Sequence, residues 1–385
     1  MKFNEISKEI KKRFNPKKLN LHEPIFSRKE KNNLNSCLKS GLVSTSNKGQ
    51  FIKRLESQIK NFTKSKYVVC TINGVSAIHA GLISLGLKKN DEILLPSLTF
   101  VATVHPILYM GAVPHFVDAN TRTFGICAHK LEKYLKKITF KKGSFLFNKK
   151  TKRRISAIIA VHIFGNPCEI LKLRSIAKKY NLKLIEDATE ALGSFVNKKH
   201  TGTLGDIGIF SFNGNKIITA GGGGAIITNN KVLYKKISHL TSNSKISHPW
   251  EYIHDQVGFN YRMPNLNAAL ASAQFEKLKQ IIKIKRDISL TYKKIFSKFQ
   301  NFKFLDETDN TKSNFWLNTI MIKDKKINKN KLIRHLHKNK IFVRPVWKPL
   351  HTLKHLKNFP KMKLNSTINI YQNSICLPSG PGIKK

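Results

Sequence analysis

Residues 210–224, FSFNGNKIITAGGGG, set one lysine, Lys216, between a strand-like run and four consecutive glycines. An amine in such a packed setting is shielded from water and can be neutral, which makes it a nucleophile and a proton carrier. Other segment ends carry matching chemistry. Asp187 and Glu190 follow the apolar run LKLIE, where acidic side chains are costly unless something binds them; capping of a helix by Asp187 is the plainer alternative. Gly74, Val75 and Ser76 follow YVVCTI and enter a helix. The N–H groups, dipole and hydroxyl of such a turn suit an anion. Phe100, after EILLPSLT, is of a type that covers a flat ring or packs in a core. Ser211 adds a hydroxyl just ahead of Lys216. Neither G-x-G-x-x-G nor G-x-x-x-x-G-K-[ST] is present at the turn, so the dinucleotide and P-loop signatures are missing.

These residues are spaced by alternating patterns. YVVCTI, EILLP, VPHFVDA, ISAIIAVHIFG, LKLIED, DIGIFSF and GAIIT read as strands. VSAIHAGLISLGL, VATVHPILYMG, LEKYLKKI and EILKLRSIAKKYN read as helices between them. Such alternation predicts an α/β protein with a mostly parallel sheet flanked by helices. Ligands gather beyond the carboxyl ends of such strands, which is where the candidate residues fall. After Pro264 the texture changes to an expected long amphipathic helix over 265–299, then strand-like FWLNTIMI, helix-like KNKLIRHLHKNK and strand-like IFVRPVW. The expected division is an N-terminal arm over 1–40 associated with the small domain, a large domain over 41–263 and a smaller α+β domain over 264–385. The chain stops at LPSGPGIKK without an evident final helix.

The net charge of +48 invites a nucleic-acid reading. Against it, only 11 of the 70 basic residues are arginine, the side chain suited to bidentate phosphate recognition, and no nucleic-acid motif is present. The densest basic run, KLEKYLKKITFKKGSFLFNKKTKRR over 130–154, reads as a solvated helix face and loop, with a polyanion or anionic-membrane patch as the alternative. Five scattered cysteines without a CxxC pair suggest neither a disulfide framework nor a metal site, and fit a reducing cytoplasm. No run is long and apolar enough for a membrane span, and the N-terminus lacks a signal-peptide core.

An anion cradle, a ring cover, a buried carboxylate, a hydroxyl and a shielded amine on one sheet match what pyridoxal phosphate requires. The sequence also resembles the DegT/DnrJ/EryC1/StrS nucleotide-sugar aminotransferases, pyridoxal-phosphate enzymes of fold type I. The resemblance is carried by EDATEALGS, HTGTLGDIGIFSFNGNKIITAGGGGAIIT and HDQVGFNYRMPNLNAAL, and runs from EPIFSRKE to LPSG. It implies that Lys216 is the Schiff-base lysine and Asp187 the carboxylate at the pyridine nitrogen. Glu190 would lie near the ring 3-oxygen, and Phe100 would stack on the cofactor. Ser211, Gly74 and Ser76 would hold the phosphate, with Asn260 of GFNYRM reaching the phosphate of a neighbouring subunit in a homodimer with shared active sites. Val75 stands where the family usually has threonine, which removes one phosphate hydrogen bond, worth about 1 kcal/mol.

Within the family the SFNGNKIIT and EDATE motifs are most similar to members acting on 4-keto-6-deoxy sugars, those of the legionaminic acid, bacillosamine and perosamine pathways. The resemblance implies glutamate as amino donor. The expected acceptor is a UDP-linked 4-keto-6-deoxy-N-acetylhexosamine, with GDP-linked 4-keto-6-deoxymannose as the alternative. Arg344, Trp347 and His351 are candidates for the substrate cleft. The competing readings are a sugar dehydratase, which would carry histidine in place of Lys216, an amino-acid aminotransferase of the same fold, and a non-enzymatic polyanion-binding protein.

Overall fold

The apolar runs assemble into a nine-stranded sheet with its main path in the order Tyr67–Thr71, Gly224–Thr228, Ile207–Ser211, Lys183–Asp187, Arg154–Val161, Glu92–Pro96, Val113–Val117. The computed structural model describes residues 3–14, 18–44 and 49–384. From Ile207–Ser211 to Val113–Val117 every neighbouring pair is parallel. These strands lack polar alternation because both faces are covered; Ile155 to Val161 are all buried. Gly224–Thr228 runs the other way and pairs antiparallel with both neighbours. No helix separates it from Ile207–Ser211, so the chain turns back on itself rather than crossing over. The reversal brings Gly224 to the same sheet edge as Ser211 and Asp187.

A second hydrophobic core lies under a four-stranded antiparallel sheet, ordered Phe302–Phe304, Asn318–Ile322, Ser374–Leu377, Arg344–Pro345. Helices Phe3–Arg13, Leu278–Phe296 and Lys329–Lys338 contribute Ile6, Ile288, Tyr292 and Leu336 to it.

Three local expectations change. The helix expected over 265–299 is two helices, Asn265–Glu276 and Leu278–Phe296. The alanine-rich first half buries Ala268, Ala269 and Ala271 in the core shared with helix Gln50–Thr63. The second helix starts in that same core with Leu278, Ile281 and Ile282 and then passes to the smaller sheet with Ile288 and Tyr292; the two helices meet at Lys277. The segment VATVHPILYMG forms only a 3-10 turn, Val101–Thr103, and the short helix His105–Tyr109, since Pro106 and β-branched residues limit its length. Finally, the lysine-rich stretch contains an unforeseen hairpin, Thr139–Lys142 with Phe145–Asn148, which joins the sheet beside Arg154–Val161. Among the described residues no helix is long and apolar enough to cross a membrane.

Candidate active site

One cavity of about 320 Å³ opens at the carboxyl edge of the parallel strands, and its lining includes Gly74, Val75, Phe100, Asp187, Glu190, Ser211 and Lys216. Residues placed by four separate segments of sequence therefore share a single space.

Asp187 ends its strand and is 2 % exposed. Its Oδ2 accepts a hydrogen bond from the Thr103 hydroxyl at 2.7 Å and its Oδ1 accepts one from the Thr189 N–H at 3.2 Å. Both donors are neutral. A buried carboxylate with that surrounding favours a cationic N–H arriving from the cavity.

Lys216 lies on the turn after Ile207–Ser211, its side chain 13 % exposed. Its Nζ is 3.4 Å from Glu190 Oε1 and 4.4 Å from the centre of the Trp316 ring. The indole N–H of Trp316 donates to the carbonyl of Asn215 at 2.8 Å, tying the ring to the same turn. Behind it the fully buried Lys285 donates to the carbonyls of Trp316 and Ser379, at 3.0 and 2.6 Å; burial lowers its pKa to about 7. Nothing in the sequence marks Trp316 or Lys285: Trp316 precedes a strand and looks like core, and Lys285 looks like one more helix lysine.

Glu190 accepts the Phe164 N–H at 2.9 Å. Burial pushes its pKa up to about 7, the Lys216 ammonium opposes the rise, and Asp187 adds to it. The folded value exceeds the ordinary carboxylate value, so this group favours the fold at low pH, and that contribution is lost as pH rises from about 4.5 through about 7. Glu190→Gln removes the effect. Without added cofactor, the melting temperature of the variant relative to wild type should rise by a few degrees between about pH 5 and pH 8. A constant difference would show that Glu190 does not titrate there.

The glycines explain the opposite wall. A Cβ on Gly224 would sit 2.6 Å from the Asn73 carbonyl carbon and 2.8 Å from the Gly74 nitrogen. The reversed strand thus packs its backbone directly on the turn that enters helix Gly74–Ser84. Gly221 adopts φ +75°, which favours glycine. Gly224→Ala has to push that turn away. It is expected to cost about 1–3 kcal/mol in chemical denaturation and to weaken retention of an anion at the turn; unchanged values for both would show that the packing is slack.

Ser211 lines the cavity, but Ser76 does not: its N–H is taken by the Asn73 side chain at 2.8 Å, a helix cap. The first-turn N–H groups left to an anion are those of Gly74 and Val75. Phe100 lies at the mouth, 52 % exposed. Trp347 also lines the cavity, whereas Arg344 and His351 do not; His351 is held outside it by the Ser97 hydroxyl at 2.7 Å. Asn260 is exposed and lines a different surface depression, beside Arg262 and Tyr234. Thr103, Trp316 and Lys285 are the contributors that sequence reading did not single out.

The profile of the DegT/DnrJ/EryC1/StrS aminotransferase family matches residues 24–385. The chain belongs to this family. A protein from Vibrio cholerae named GDP-perosamine synthase is 35 % identical over 365 residues, which cover 94 % of each chain. One of the same name from Escherichia coli O157:H7 is 37 % identical, covering 86 % of this chain and 85 % of that protein. Among solved structures, Helicobacter pylori PseC, an aminotransferase involved in the biosynthesis of pseudoaminic acid, superposes with a TM-score of 0.84 at 24 % identity, covering 94 % of this chain and 93 % of that one. The architecture is that of the fold-type-I, pyridoxal-phosphate-dependent transferases, and this family member is an aminotransferase.

Proposed function

We propose that this DegT/DnrJ/EryC1/StrS aminotransferase holds pyridoxal phosphate in the 320 Å³ cavity and moves an amino group from glutamate to the ketone of a nucleotide-linked 4-keto-6-deoxy sugar. The observation that carries the reading is that Asp187 and Lys216 share this space, one a buried carboxylate without a cationic partner among the described residues, the other an amine under an indole ring. When bound, the cofactor supplies an electron sink that makes the C–H bond of the carbon bearing the transferred nitrogen labile. The chain supplies the rest. Gly74 and Val75 offer N–H groups, and Ser211 a hydroxyl, to the phosphate. Asp187, fixed by Thr103, holds a proton on the ring nitrogen. Lys216 carries protons at its Nζ, and Trp316 keeps that amine from water. Phe100 and Trp347, with ring centres 6.2 Å apart, stand at the mouth where a substrate enters.

GDP-linked 4-keto-6-deoxymannose is the acceptor best supported, since the two relatives named GDP-perosamine synthase align over most of this chain. This reverses the order of preference drawn from the motifs alone, which put a UDP-linked N-acetylhexosamine first. Asn260, outside the cavity of its own chain, is proposed to complete the phosphate site of a second copy in a homodimer. A panel of GDP-, UDP- and dTDP-linked 4-keto-6-deoxy sugars with glutamate, followed by mass spectrometry, tests the reading. The GDP-linked sugar should gain the amine fastest. Faster turnover of a UDP-linked sugar would overturn the nucleotide assignment, and no amine on any of them would overturn the substrate class.

A further inference from the structure

The most basic stretch of the chain plays no part in the cavity described above. Two of its cations are spent on structure: Lys130 pairs with Asp118 at 2.6 Å, and Arg154 pairs with Asp91. Four others, Lys137, Lys149, Lys150 and Arg153, converge with Lys361 on a second cavity of about 600 Å³. No carboxylate lines it. The nearby buried Glu92 is occupied, accepting from Asn148 at 2.9 Å and pairing with His115 at 2.8 Å. Among the described residues none of the five cations has a carboxylate within ion-pair distance, and what sets them apart from other unpaired lysines is that all five line one concavity.

The shape is built rather than incidental. Helix Ala128–Ile138 supplies Lys137, and Lys149 Nζ donates to the Lys137 carbonyl at 3.1 Å, which ties helix and hairpin exit together. The turn after the hairpin is held by the Asn148 side chain, which accepts the Lys150 N–H at 3.0 Å. Lys361 is fixed because its segment hydrogen-bonds to the sheet edge, Phe116 N–H to the Pro360 carbonyl and Met362 N–H to the Phe116 carbonyl, at 2.9 and 3.0 Å. The floor carries the Tyr134 hydroxyl, 3.0 Å from His115 Nε2, and the half-buried Phe359 adds an apolar wall. A concave space of several hundred Å³ is the size of small-molecule sites. Two of the ammonium groups also donate to backbone carbonyls, Lys149 to Lys137 at 3.1 Å and Lys361 to Lys357 at 2.9 Å; five cationic residues around one concavity with no carboxylate in its lining draw in compact multivalent anions.

We propose that this cavity is a second ligand site, separate from the Lys216 cavity, that binds the polyphosphate group of a small metabolite. The free inorganic polyphosphate and a nucleoside triphosphate share that chemistry, and the apolar wall accommodates a base in the second case. The concave shape favours a compact ligand over a flat anionic membrane or an extended nucleic acid.

Calorimetric titration of the cofactor-loaded protein at physiological salt, with tripolyphosphate and separately with ATP, tests this. Saturable binding of at least one of the two, at one equivalent per chain and weakened about tenfold or more by Lys150→Ala/Arg153→Ala, is the expected result. The control pair Lys325→Ala/Lys326→Ala removes the same charge from an exposed loop and should leave binding unchanged. The rate of amine transfer should also be unchanged in Lys150→Ala/Arg153→Ala, which keeps the outcome distinct from failure of the catalytic reading. Lack of saturation by either probe up to about 1 mM, equal loss in the control pair, or binding indifferent to Lys150 and Arg153 would overturn the proposal. So would binding of duplex DNA or anionic vesicles that depends on these residues while both small probes fail.

Discussion

Lys216→Ala is expected to lower amine transfer by about three orders of magnitude or more, while leaving the fold in place. The side chain is 13 % exposed and its contacts are a 3.4 Å approach to Glu190 and the face of Trp316. Neither is a packing contact whose loss opens a core. What disappears is the amine that a covalently attached aldehyde requires and that carries protons during the reaction. Three measurements separate these roles from simple damage. Amine transfer from glutamate reports the chemistry. A melting curve near that of wild type reports the fold. Borohydride treatment should fix the cofactor mass to wild type and not to the variant. Retention of more than about a tenth of the wild-type rate would remove Lys216 from the chemistry. A variant that keeps the mass adduct would mean that another lysine is modified; Lys285, whose pKa burial lowers to about 7, would be the one to examine.

The sheet and the residues at its edge were legible in the sequence for a shared physical reason. Strands buried on both faces write themselves as unbroken apolar runs, and polar residues at their ends stand out against that background. Asp187, Ser211 and Lys216 are of this kind. The four glycines were legible too, because only missing side chains let Gly224 lie against the Asn73–Gly74 turn. Trp316 was not. Its contact with Lys216 depends on how the smaller sheet docks on the larger, and no local pattern records that. Thr103 was hidden by the opposite effect: it sits in a β-branched segment that reads as helix but forms a 3-10 turn, which points its hydroxyl at Asp187. Ser76 shows a motif position performing another task, since the Asn73 cap already uses its N–H. The hairpin at 139–148 was masked by lysines at positions where alternation would otherwise show.

Asp187→Asn should be the second most damaging change, lowering amine transfer by about 10²–10³-fold, or roughly 3–4 kcal/mol of transition-state stabilisation. Asparagine matches the shape and can satisfy both neighbours: its oxygen accepts the Thr189 N–H and its amide donates to the Thr103 hydroxyl, so the fold should persist. Only the charge is lost. A neutral amide does not hold a proton on a ring nitrogen as a carboxylate does, so the loss should fall on the rate more than on glutamate KM. Thr103→Val separates position from charge. It deletes the 2.7 Å hydrogen bond, leaves the Asp187 side chain in place but less fixed, and should cost about tenfold or less. If Thr103→Val proves as damaging as Asp187→Asn, the hydroxyl does more than orient the acid. If Asp187→Asn retains nearly full activity, the buried carboxylate is a strand-end cap and the cavity holds a cofactor that needs no such partner.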